Sequence, residues 1–157
     1  MPVLLRIALT GLIAVLLQWI VLGRLRLWGA YPDGVLIFIA WLGFAYGRRT
    51  GAVSGFAFGF LMDVIYGTWG IQMFVKTGVG FMVGFFQNPD QRDMPIVRPP
   101  QAFLMALVIA LLHNGLLVAL LVLQSGSRDI SIVFSHWIGA AVYTAVVANI
   151  AARFVTR

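Results

Sequence analysis

Apolar residues gather into six runs, at residues 4–22, 35–46, 52–65, 71–86, 102–123 and 132–152. Strict alternation of apolar and polar positions is missing from all of them, which excludes a transmembrane β-barrel and leaves helices as the way to satisfy a backbone in lipid. A helix crossing a hydrocarbon core of ~30 Å needs about 20 residues. The first, fifth and sixth runs meet that length, and the second to fourth are short. The second and third either extend through their flanks, with Arg48 and Arg49 carrying their guanidinium groups outward, or form a re-entrant hairpin. The pattern predicts an all-α polytopic membrane protein of about six helices. Residues 1–157 read as a single membrane domain. Within it the polar, proline-rich stretch QNPDQRDMPIVRPP, residues 87–100, reads as a cytoplasmic linker between a four-helix part and a two-helix part. The N-terminal run faintly resembles a signal peptide, but no small-x-small site follows it, so an uncleaved first helix is expected.

Composition strengthens this picture. The 157 residues are 61% hydrophobic and 10% charged, with a mean hydropathy of +0.96, whereas soluble domains are roughly a quarter charged. Eleven cations face five aspartates and no glutamate, for a net charge of +6. No basic run exceeds the pair Arg48 and Arg49, so flanking arginines on membrane spans explain the charge better than nucleic acid does. Six spans put Arg6, Arg48, Arg49, Arg92, Arg98, Arg153 and Arg157 on the side of the termini, and Arg24, Arg26 and Arg128 opposite. The positive-inside rule then places both termini in the cytoplasm. Trp19, Trp28, Tyr31, Tyr46, Tyr66, Trp69 and Trp137 fall near the proposed helix ends, as interfacial aromatics do. There is no cysteine, so disulfides, thiolate metal sites and a cysteine nucleophile are excluded.

The short middle runs carry the chemistry. Gly43, Gly47, Gly51, Gly55 and Gly59 recur every four residues, followed on the same spacing by Asp63 and Gly67. A spacing of four stacks residues on one helix face. Small residues there let another backbone approach closely, which is how helices associate in lipid. Tight packing within the monomer and a surface for another protein's helix both fit the groove of Gly51, Gly55 and Gly59, and Gly80 and Gly84 offer a similar face. Asp63 continues the groove, and an intramembrane carboxylate needs a partner. Lys76 stands at a comparable distance beyond the YGTWG turn, so a buried Asp63–Lys76 pair is the expectation, either fixing the hairpin or forming a polar site for a ligand or partner.

Metal and enzyme chemistry find little support. His113 and His136 sit in no metal spacing, and His113 with Asn114 at mid-helix suits interhelical hydrogen bonding. AVSG at residues 52–55 is a near miss to the GxSG motif of rhomboid proteases, with Ala52 in place of glycine and Ser54 on the third run rather than the fourth. No Walker loop, dinucleotide fingerprint or carboxylate cluster is present. No catalytic residue, cofactor or metal is expected.

Tyr31, Pro32 and Asp33 ahead of the second run, followed by Trp41, Gly55, Phe56, Gly59, Asp63, Gly67 and Gly70, resemble the MreD family of the bacterial elongation machinery. The family's run GFxxGxxxDxxxGxxxG is matched in order, with the last glycine one residue early at Gly70. The resemblance implies a non-enzymatic scaffold of the inner membrane that binds MreC. With RodA, its penicillin-binding transpeptidase and MreB it would support lateral peptidoglycan synthesis and cell shape. It also implies a fold similar to the substrate-binding subunits of energy-coupling-factor transporters, which keeps a small-molecule-binding subunit as the alternative. On the scaffold reading, Asp63 and its neighbouring glycines shape a docking surface, and Pro32 and Asp33 order the outer loop.

Overall fold

The computed structural model describes residues 3–87, 98–125 and 134–155. Six helices make it up: α1 (Val3–Ile20), α2 (Gly34–Tyr46), α3 (Arg48–Tyr66), α4 (Ile71–Val83), α5 (Pro99–Ser125) and α6 (Ala140–Val155). A 3₁₀ turn at Leu22–Arg24 follows α1, another at Gly84–Phe86 continues α4, and a π-helical turn at Ser135–Gly139 leads into α6. No strand occurs among the described residues. Most of the 87–100 linker lies outside them, as do Arg92, Arg128 and Arg157.

Three stretches are long and apolar enough to cross a membrane, Val3–Arg24, Pro99–Gln124 and Ser135–Phe154. These are the first, fifth and sixth runs. The second run is short because α2 is the core helix: Val35, Leu36, Ile39, Ala40, Leu42, Gly43 and Ala45 are all buried. Neighbouring helices pack around it, and a helix covered on most sides needs neither a polar face nor a full bilayer length. The third run gains a turn at its start, because α3 takes in Arg48, Arg49 and Thr50 ahead of Gly51. Gly47, at φ +85°, ends α2 and begins α3. Its left-handed backbone is a conformation glycine adopts without steric penalty.

The α3–α4 hairpin is the tightest contact in the bundle. A Cβ on Gly51 would collide with the Gly80 carbonyl, and one on Gly80 with the Gly51 carbonyl. A Cβ on Gly59 would stand 2.6 Å from Met73 Cα. The four-residue glycine spacing is therefore consumed inside the chain, with α4 lying in the groove. The expectation that Gly51, Gly55 and Gly59 present a face to another protein is corrected on this point: backbone already occupies it. Leu36, Ala40, Val75, Val79, Val83, Ala110 and Ala141 form a shared core joining α2, α4, α5 and α6. A second cluster, Val15, Val35, Ile39, Leu42, Phe58 and Met62, joins α1, α2 and α3.

Candidate functional site: a buried polar node

Five helices converge on the Pro32–Asp33–Gly34 segment that opens α2. From α1, the Gln18 amide donates through Nε2 to the Pro32 carbonyl (2.9 Å) and accepts through Oε1 from the Gly34 N–H (2.7 Å). From α6, Thr144 Oγ1 accepts the Asp33 N–H at 3.0 Å while donating to the Ala140 carbonyl at 2.8 Å. Asp33 itself caps α2, its Oδ1 accepting from the Leu36 N–H at 2.8 Å. That is the usual service of an aspartate just ahead of a helix. Its Oδ2 forms an ion pair with Lys76 Nζ of α4.

Lys76 is fully buried, so its ammonium needs partners from the protein. Its second partner is His113 Nε2 of α5, at 3.1 Å. An ammonium only donates, so Nε2 accepts and the ring proton sits on Nδ1, which donates to Asn114 Oδ1 at 2.9 Å. The node thus holds one cation, one anion and a neutral imidazole, with net charge zero. Tyr31, in the loop before it, stacks on Tyr66 with ring centroids 6.1 Å apart. Burial pushes its phenol up to about 12, and the Asp33 carboxylate adds to the shift. Tyr31 is therefore neutral across the physiological range.

Asp63 is not the partner of Lys76, and that expectation is corrected. Its carboxylate receives the N–H groups of Gln72 (3.0 Å) and Met73 (2.8 Å) at the start of α4, and the Thr68 hydroxyl. A carboxylate at a helix N-terminus meets unpaired donors and the positive end of the helix dipole, so Asp63 is satisfied without a cation. Asp63 and Lys76 lie on either side of the same short turn in sequence. Lys76, however, lies more than a turn beyond the capped end, and its side chain runs to α2 and α5. Gly67, at φ +68°, closes α3 with its N–H on the Asp63 carbonyl at 2.8 Å. Replacing Asp63 by alanine should destabilise the protein by about 1–2 kcal/mol, the usual size of a lost cap, while Asp63→Asn should cost less, keeping the oxygen that accepts from Thr68 and Gln72 but losing the Met73 bond, since an amide nitrogen does not accept. Thermal unfolding in detergent checks this, and equal midpoints for all three proteins would refute the capping role.

The remaining candidates lie apart from the node. Ser54 donates to the Gly51 carbonyl at 3.0 Å within its own helix, whereas His113 is held by Lys76 and Asn114. Arg48 lies over the Phe85 ring at 4.6 Å, and Arg49 is exposed at the start of α3. Among the described residues no group of histidine and acidic side chains could hold a metal ion. Sequence reasoning missed Gln18 and Thr144, whose signal was a polar side chain inside a mostly apolar helix.

Compared with known proteins, residues 2–152 match the family model described as rod shape-determining protein MreD. No curated protein matches. No solved structure matches either.

Proposed function

The chain belongs to the MreD family of rod shape-determining proteins, and from that premise we propose that it is a non-catalytic scaffold of the elongation complex. In this role it binds MreC directly in the bacterial inner membrane, with both termini cytoplasmic. Together with RodA, its penicillin-binding transpeptidase and MreB, it supports lateral peptidoglycan synthesis. The observation that carries the proposal is the family match over nearly the whole chain. The node supports it: Gln18, Asp33, Lys76, His113 and Thr144 bond to backbone or to one another across five helices, an arrangement that holds helices in place.

A rod-shaped host depleted of this protein should become round and recover when it is restored. MreC should co-purify with the tagged wild-type protein from solubilised membranes. Rods that persist through depletion would count against the shape role, and absence of MreC from a well-folded preparation would count against direct binding.

A further inference from the structure

The inner halves of α1 and α3 enclose a groove that the node and the helix packing leave unused. Of α1 only Gly11, Val15 and Gln18 are buried; Ile7 packs partly against the Phe58 cluster, and the other residues from Val3 to Thr10 are exposed. Contact between α1 and α3 is therefore loose around Ile7. A space of about 350 Å³ opens there, lined by Leu4 and Ala8 on one side and Val53 and Ala57 on the other. Arg49 lies at its mouth and Phe58 at its deep end. Phe58 closes it because its ring fills the notch at Gly11.

We propose that this groove binds one anionic phospholipid, its phosphate at Arg49 and one acyl chain along α3 toward Phe58. Charge and length both favour that occupant. The ion pair seen among the described residues is Asp33–Lys76, and Asp63 is spent on α4, so no described carboxylate meets Arg49. From Arg49 to Phe58 the helix rises about 13.5 Å at ~1.5 Å per residue. Half of a ~30 Å hydrocarbon core is about 15 Å. The groove thus has the depth of a single leaflet, which suits an acyl chain anchored at the headgroup level. A partner's transmembrane helix would continue past Phe58, where α1 and α3 are already in contact.

The test uses the full chain in vesicles doped with phosphatidylglycerol or phosphatidylcholine, each carrying a photoactivatable group midway along one chain. Labelling of Val53 and Ala57 is read relative to labelling of Leu112 and Leu116, exposed residues on α5, so that a folding defect moves both. The wild type should give a higher ratio with phosphatidylglycerol. Arg49→Gln should lower it about fivefold, the size of one basic residue's attraction to an anionic lipid surface. Ala57→Phe, which fills the groove from an exposed position, should lower it with either lipid. Equal ratios for the two lipids, or a preference that survives Ala57→Phe, would overturn the proposal. So would cross-linking of position 57 to a second copy of the chain or to another protein in place of lipid.

Discussion

Lys76→Met should remove most of the folded protein, with a loss of about 3–5 kcal/mol, the range for breaking a buried ion pair from one side. Methionine fills much the same space, so the effect comes from electrostatics. The Asp33 carboxylate is left buried with only its cap hydrogen bond, and His113 Nε2 loses its donor. Adding Asp33→Asn should recover at least half of the loss. Asparagine still accepts the Leu36 N–H through its side-chain oxygen, and neither charge is then buried. Adding Asp63→Asn instead should recover nothing, because Asp63 is bonded to α4 backbone rather than to Lys76. The three proteins can be ranked by the monodisperse fraction on size exclusion and by thermal midpoint. Rescue by Asp63→Asn, or a stable Lys76→Met single variant, would mean that the node is wired differently.

That comparison marks where sequence stops being informative. The three long helices were legible because an apolar run of bilayer length has few other uses, and the α3–α4 hairpin because glycines at a spacing of four lie on one face whatever surrounds them. Partner assignment was not legible. Asp63 and Lys76 flank one short turn, so separation along the chain suggests that they meet, whereas Asp33 and Lys76 are 43 residues apart. Which of two aspartates takes the lysine depends on what else could satisfy each. Asp63 has the bare N-terminus of α4 beside it. Asp33 already caps α2 with one oxygen and has the other free for Lys76. Sequence pattern signalled both carboxylates as unusual, and only the packing of α2 against α4 and α5 decides between them. The same holds for Gln18 and Thr144: a single amide or hydroxyl in a hydrophobic helix announces a hydrogen bond without naming its acceptor.

Gly55→Leu should be the most disruptive change on the glycine face. A Cβ at Gly55 meets the Lys76 carbonyl and stands 2.8 Å from Thr77 Cα. Backbone cannot rotate aside as a side chain can, so the two helices must separate along their length. Overpacking a core costs about 1–3 kcal/mol even where side chains can adjust, and here the obstruction is the helix itself. Lipid offers little hydrophobic force to pull the helices back, since association depends on the close contact that leucine removes. The damage should reach the node, because the residue displaced from Gly55 is Lys76, whose Nζ must then draw away from Asp33. Gly55→Leu and Lys76→Met should accordingly fall short of additivity when combined, as coupled sites do. Gly78→Ala on α4 is the matching control. Nothing lies within 4 Å of its Cβ position, and exchanging a half-buried helical glycine with free space around it for alanine should stabilise the protein by up to ~1 kcal/mol. If Gly55→Leu unfolded at the wild-type temperature, or if the two glycine variants behaved alike, the hairpin would not be held by backbone contact. Unequal outcomes in the expected order would show that backbone contact at glycine and the Lys76 ion pair seat α4 together.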